Sequence, residues 1–104
     1  MDGADAWLGA EWNGTDAEKA FVTEILERAA DWGTDRGRPI FIGELGAYSA
    51  ADMPSRARWT AHVAREAERL GMSWAYWEFM AGFGLYIPEQ DAWREPLKDA
   101  LLPR

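Results

Sequence analysis

A single carboxylate, Glu44, follows the apolar run PIFI in the segment RPIFIGELGAYS, residues 38–49. Gly43 and Gly46 lie on either side of it, and glycine lets the backbone turn tightly and a ligand come close. In parallel α/β folds, catalytic groups lie at the carboxyl ends of strands. A carboxylate there is partly desolvated, which disfavours its charged form. A charge kept at such a position therefore suggests a chemical role. Nucleophilic attack in glycosyl transfer is one such role.

Tryptophan is the second feature with chemical meaning. The 104 residues include seven tryptophans, more than a small core requires. Two interpretations are open: a surface that stacks on the flat faces of sugar rings, or a Trp-rich core. Trp7 and Trp12 fall in an N-terminal loop, where substrate contact and loop anchoring are equally open. Core packing is favoured for Trp32 and Trp59 on helix faces, and a core position is one option for Trp74, an early residue of a buried strand.

Two helices and a strand must position these residues. A capping box, Thr15-Asp16-Ala17-Glu18, predicts a helix over 16–32. Its apolar positions recur at helical spacing and are Val22, Ile25, Leu26, Ala29 and Trp32. Residues 39–44 form a continuous apolar run, which is typical of a strand covered on both faces. Asp52 and Pro54 then begin a second helix, which Gly71 ends. Its apolar face carries Trp59, Val63, Ala67 and Leu70.

A second strand is predicted over 72–79, MSWAYWEF, followed by a long loop over 80–94 and a closing helix over 95–102. The order helix, strand, helix, strand, helix predicts a parallel α/β arrangement with a right-handed crossover. Two strands make a sparse sheet, so the pattern resembles a slice of something larger.

Composition narrows the classes of partner. A net charge of −7 argues against nucleic acid and anionic membranes, because both need clustered Lys and Arg. No apolar run approaches a membrane span, no signal peptide is recognisable, and the chain has no cysteine.

A metal site is not expected, because His62 is the only histidine and suits a solvated or helix-packing role. The charged residues of the second helix predict a solvated face; they are Arg56, Arg58, Arg65, Arg69, Glu66 and Glu68.

The segment RPIFIGELGAYS, followed some thirty residues later by SWAYWEF, resembles the last part of a glycoside hydrolase family 5 enzyme, of the cellulase type. WLGAEWNGTDAEKAF and WREPLKDALLP extend the resemblance over essentially the whole chain. The resemblance implies the C-terminal part of a (β/α)8 barrel: helix 6, strand 7, helix 7, strand 8 and helix 8. It also implies hydrolysis of β-linked glucans or mannans with retention of configuration, without a cofactor, and secretion.

The resemblance assigns individual roles. Glu44 matches the family's nucleophile, and Trp77 matches the tryptophan that forms a platform for the sugar at the cleavage point. Tyr48, just beyond the nucleophile, is a candidate for lining the cleft. Glu78 is a weak candidate for a second acid, because adjacent strand residues point to opposite faces unless a bulge intervenes.

The sequence also departs from the family. The family's acid/base follows an Asn, whereas Asn13, the only asparagine, is followed by Gly14. We therefore expect an active parent enzyme on a β-glucan such as cellulose, but an inactive isolated chain. The alternative is a non-catalytic fragment that binds sugar or completes a barrel with another chain, such as the missing N-terminal part. A reading frame that begins at an internal Met is a third interpretation.

Overall fold

The computed structural model describes residues 9–104. Helix α1 (Asp16–Arg36) begins at the predicted capping box: the N–H of Glu18 donates to Thr15 Oγ1 at 3.2 Å, and the N–H of Thr15 donates to Glu18 Oε1 at 2.9 Å. The helix runs past its predicted end at residue 32 and ends at Arg36, where Gly37 forms the C-cap with a positive φ of 61°. A Cβ at Gly33 would lie 2.6 Å from the carbonyl oxygen of Arg38, so glycine lets the returning chain pack closely.

Strands β1 (Phe41–Leu45) and β2 (Ser73–Tyr76) form a parallel pair, and helix α2 (Met53–Arg69) connects them. Asp52 caps α2, as predicted, by accepting from the N–H of Ser55 at 2.9 Å. Both strands are shorter than predicted. The predicted α/β alternation with parallel strands is confirmed.

The core lies on the face of the sheet that the helices cover. Its buried centre consists of Leu45, Val63, Ala64 and Leu101. Partly buried apolar side chains pack around this centre and are Val22, Leu26, Ile42, Trp59, Trp74, Tyr76 and Leu85. Helix α3 (Glu95–Leu101) closes the core with its buried Leu97 and Ala100.

Several apolar side chains that were predicted to be buried are exposed. Phe41, in the strand predicted to be covered on both faces, is 65% exposed, because helices cover only one face of the two-stranded sheet. Ile25 and Trp32, predicted on the core face of α1, are also exposed. Trp32 instead packs beneath the guanidinium of Arg36, whose Cζ lies 4.5 Å from the indole centroid. The predictions for these three positions were wrong.

The charged face predicted on α2 is only partly solvated. Arg69 behaves as predicted, since it bridges Glu66 at 2.7 Å and Glu27 of α1 at 3.0 Å near solvent. Arg56 does not, because its side chain lies beneath the loop that joins β1 to α2 and is only 4% exposed.

The predicted loop over 80–94 contains a small antiparallel hairpin. Strand β3 (Tyr86–Ile87) pairs with β4 (Ala92–Trp93), and a 3-10 turn (Pro88–Gln90) joins them. The ring of Phe79 stacks on Tyr86 with 5.1 Å between centroids. Strands of two residues are too short to show an alternating pattern, so no local pattern predicts them. Among residues 9–104, no helix is both long and apolar enough to cross a membrane.

Candidate active-site pocket

Glu44 lies near the end of β1, where the strand is irregular. The pairing with β2 shifts register between Ile42 and Leu45, and both of these side chains pack on the helix-covered core. Gly43 and Glu44, which lie between them, are exposed. The carboxylate is therefore outside the core and accessible to solvent.

Glu44 and Trp77 line the same open pocket, together with Gly46 and Phe83. The pocket has a volume of about 260 Å³. Trp77 directly follows β2, and its backbone N–H donates to the carbonyl oxygen of Leu45 at 2.8 Å. This bond fixes the start of the Trp77 segment beside the strand that carries Glu44. The structure thus brings together the two residues that the sequence singled out.

Gly46 allows the two walls of the pocket to meet. A Cβ at this position would lie 2.1 Å from the carbonyl oxygen of Trp77, which leaves no room for a side chain. A Cβ at Gly43 would meet only the ring of Phe41, at 3.7 Å, which is an ordinary contact. The two glycines next to Glu44 therefore differ: Gly46 is needed for close packing of backbone on backbone, and Gly43 is not.

Glu78 supports the loop after β2. Its Oε1 accepts from the backbone N–H groups of Ala81 at 2.8 Å and Phe83 at 3.0 Å. The peptide bond between Trp77 and Glu78 is cis. Glu78 does not line the pocket that Glu44 and Trp77 share. Its carboxylate therefore fixes the backbone of Phe83, which lines the pocket, although Glu78 itself does not line it.

Phe83 is a pocket residue that the sequence analysis missed. The only signal for it is its place between Gly82 and Gly84, shortly after the strand that precedes Trp77. Tyr48, predicted as a candidate for lining the cleft, is exposed but is not among the residues lining this pocket. Its ring packs against Phe83 with 5.2 Å between centroids. Tyr48 thus stands next to the pocket wall.

Trp12 is anchored away from this pocket. Its backbone N–H donates to Ser55 Oγ at 2.8 Å, and its backbone carbonyl oxygen accepts from Arg58 Nε at 3.0 Å. Its ring lies 5.9 Å from that of His62, whose Nε2 is 3.1 Å from the carbonyl oxygen of Lys19. His62 thus packs between helices. Trp7 lies outside the described residues.

The chemistry that the pocket offers is limited to one acidic group and aromatic surface. Within residues 9–104, Glu44 is the only carboxylate that lines it, and no group of three His, Cys, Asp or Glu side chains could hold a metal. A carboxylate beside an indole face suits a sugar ring, whose apolar face stacks on aromatic rings while its reacting carbon meets a nucleophile.

Known proteins resemble this chain in sequence and in structure. The sequence model of the family described as cellulase (glycosyl hydrolase family 5) matches residues 4–82. Endoglucanase B of Clostridium cellulovorans is 29% identical over 72 residues, which are 69% of this chain and 16% of that protein.

Solved structures agree with this match. A hyperthermophilic endo-beta-1,4-glucanase in complex with substrate superposes with a TM-score of 0.89 and 46% identity, over 92% of this chain and 31% of its own. Thermotoga maritima Cel5A in complex with mannotriose superposes with a TM-score of 0.89 and 39% identity, over 98% of this chain and 33% of its own. The chain thus spans about a third of these enzymes. With the family's sequence model covering most of its length and its pocket residues arranged as described, this chain belongs to glycoside hydrolase family 5.

Proposed function

We propose that this chain carries the nucleophile and the sugar platform of a retaining β-glycanase, with Glu44 as nucleophile and Trp77 as platform. The observation that supports this most directly is the shared pocket of Glu44 and Trp77, built by two neighbouring parallel strands and the residues that follow them. Family membership supports the class of reaction, which is hydrolysis of a glycosidic bond.

In the proposed mechanism, a Glu44 oxygen attacks the anomeric carbon while the bond to the leaving oxygen breaks and that oxygen takes a proton from an acid/base carboxyl, which gives a glycosyl ester on Glu44. Water then gives a proton to that acid/base and attacks the same carbon, the ester bond breaks and the Glu44 carboxylate is restored. Trp77 stacks on the sugar ring and holds it in the geometry of attack, which lowers the entropic part of the barrier. Phe83, whose ring lies close to Gly46, adds apolar surface to the same pocket.

Retention also requires an acid/base carboxyl roughly 5 Å from the nucleophile. Glu44 stands alone in its pocket within residues 9–104, and Glu78 is engaged with the loop amides. We therefore propose that the chain by itself does not hydrolyse glycosides. The acid/base then comes from another part of a barrel, in which this chain supplies helix 6, strand 7, helix 7, strand 8 and helix 8.

The proposed substrate class is a β-linked glucan or mannan, acted on outside the cell because such polymers are not imported whole. Thermotoga maritima Cel5A has been crystallised with cellobiose and with mannotriose, which supports this class without choosing within it.

The test is a chimera. The full chain is fused to the N-terminal part of the endo-beta-1,4-glucanase that is 46% identical, up to the first aligned residue. We expect hydrolysis of carboxymethyl cellulose by the chimera and none by the chain alone. Glu44→Gln in the chimera should lower kcat by at least about a thousandfold, whereas Glu78→Gln, which keeps an acceptor oxygen, should lower it by less than about tenfold. A chimera that folds and works equally well with Glu44→Gln would overturn the assignment.

A second function, assembly with another chain, is favoured by the apolar surface that the described part leaves open. An open groove of about 600 Å³ is lined by Trp12, Phe21, Val22 and Trp59, among others. Phe21 and Phe41 are exposed, and within residues 9–104 strand β1 pairs on only one edge. Light scattering of the chain with and without the N-terminal part of the same relative distinguishes a stable monomer from a complementing fragment.

A further inference from the structure

Arg56 is a buried cation close to the pocket, and the proposed mechanism does not use it. Its Nε donates to the carbonyl oxygen of Ala47 at 3.0 Å, and the side chain is 4% exposed. Its Nη2 is buried without a hydrogen-bond partner among residues 9–104. Burying a guanidinium is costly unless its contacts repay the desolvation, so its position calls for an explanation.

Tyr76 connects Arg56 to another part of the pocket. Its hydroxyl donates to the carbonyl oxygen of Phe83 at 2.6 Å. Burial raises the pKa of the Tyr76 hydroxyl, and the positive charge of Arg56 offsets part of that rise. The Tyr76 hydroxyl is thus bonded to the Phe83 carbonyl and lies within the electrostatic influence of Arg56.

The three backbone segments that this network joins are the three that build the pocket. Ala47 follows Gly46 on the Glu44 side, Tyr76 directly precedes Trp77, and Phe83 is itself a wall. We propose that Arg56 is a positioning residue, which through Ala47 and Tyr76 holds the Glu44, Trp77 and Phe83 walls at a fixed separation. Its importance for sugar binding rests on the proposed function; the positioning of the walls does not.

Such a role has a physical basis. A side chain at the end of a strand is held precisely only if its neighbours are locked by packing and hydrogen bonds. A displacement of about 1 Å in a catalytic constellation can cost roughly a hundredfold in rate. A planar guanidinium offers several donors in a fixed geometry, which a lysine ammonium does not reproduce.

Arg65 provides a matched control on the same helix. It donates to the carbonyl oxygens of Ala100 at 3.4 Å and Leu101 at 2.8 Å, so it also joins α2 to backbone. Those carbonyls belong to the end of α3 and not to the pocket. Loss of Arg65 therefore imitates the loss of a cation that binds backbone carbonyls, without touching the pocket walls.

The experiment uses the full chain, labelled with 15N and with 13C at the tyrosine ζ carbon, as wild type and as Arg56→Met, Arg56→Lys, Tyr76→Phe and Arg65→Met. NMR gives three readouts: the amide shifts of Gly46, Trp77 and Phe83, the pKa of the Tyr76 hydroxyl, and the affinity for cellotetraose. Glu78 and Arg94 also influence the Tyr76 hydroxyl and are unchanged in every variant.

We expect Arg56→Met to shift all three amides, to raise the pKa of Tyr76 further and to weaken cellotetraose binding by about tenfold. Arg56→Lys should restore these readouts only in part, and Arg65→Met should leave them at wild-type values. Tyr76→Phe should shift the Phe83 amide and weaken sugar binding, which keeps the proposal testable if Arg56→Met does not fold.

Unchanged amides in Arg56→Met, or equal changes in Arg65→Met, would overturn the proposal and leave Arg56 as a packing residue. If Arg56→Met is unfolded, an unchanged Phe83 amide in Tyr76→Phe would do the same. If the wild-type chain does not bind cellotetraose, but Arg56→Met shifts the three amides as expected, the result would support the positioning role and count against the proposed function.

Discussion

At the scale of single residues, the two glycines beside Glu44 look alike in the sequence and differ in the structure. Both were expected to ease a turn and the approach of a ligand. Only Gly46 has a neighbour that excludes a side chain, namely the carbonyl oxygen of Trp77. Because that neighbour is backbone held by the Trp77–Leu45 hydrogen bond, it cannot rotate away as a side chain could.

This difference gives a paired prediction. Gly46→Ala should lower the free energy of unfolding by about 1–3 kcal/mol, because the new methyl forces the two backbones apart. Gly43→Ala should stay within about 1 kcal/mol of wild type, since its methyl finds ordinary contact distance. Urea unfolding followed by circular dichroism measures both. Equal losses for the two variants would contradict the geometry at Gly46.

The candidate site was predictable from the sequence where a residue's role follows from its place at a strand end. Glu44 has such a place, whereas Trp77 was assigned through the family resemblance and was expected inside a strand over 72–79; the two residues share a pocket. Phe83 could not be predicted, because its position depends on a loop that Glu78 folds through two backbone N–H groups. Arg56 was assigned to the solvated face because neither its charge nor its spacing reveals the carbonyl above it. The catalytic role of Glu44 stays a prediction.

Among the helices and strands, helix starts were predicted more accurately than strand limits. Side chains next to the helix start make the capping box of α1 and the Asp52 cap of α2, so local sequence determines them. The extent of a strand depends instead on its partner. The register shift in β1 and the two-residue strands of the hairpin come from tertiary pairing that no local pattern encodes.

The caps predict how stability depends on pH. The backbone N–H of Thr15 lowers the pKa of Glu18 from its usual 4.5, and that of Ser55 lowers the pKa of Asp52 from its usual 3.8. The folded carboxylates therefore resist protonation more than the unfolded ones. Their contribution is full above the usual values and is lost as the pH falls through the lowered ones.

We therefore expect the melting temperature to fall between pH 6 and pH 3, and to fall less in Glu18→Gln, which keeps an acceptor but no ionisable group. The control is Glu24→Gln on the same helix, whose partner Arg28 is at 3.2 Å on the solvent side. It should follow the wild-type profile. Circular dichroism melts at several pH values measure this, and parallel profiles for wild type and Glu18→Gln would refute the role of the cap.

In the molecule as a whole, one face of the sheet is covered by helices and the other is open, and residues of β1 lie on both. Leu45 is 2% exposed and packs on the helices, whereas Phe41, on the same strand, is 65% exposed. The apolar run was read as a strand covered on both faces, and within the described part only the helix side is covered. The apolar run of this strand therefore contains more apolar side chains than the described part of the chain buries.

The difference in burial between Phe41 and Leu45 leads to a paired prediction. Phe41→Ser should leave the melting temperature nearly unchanged, because the ring contributes little burial, and should reduce binding of the dye ANS and self-association. Leu45→Ser, the matched change on the same strand, should cost about 3 kcal/mol or more through loss of buried apolar volume and burial of a hydroxyl. Thermal melts, ANS fluorescence and analytical ultracentrifugation separate the two effects. If Phe41→Ser destabilises the chain as much as Leu45→Ser does, then Phe41 is buried in solution, for example by a second copy of the chain. If it leaves both stability and self-association unchanged, the open face of β1 is not the surface through which the chain associates.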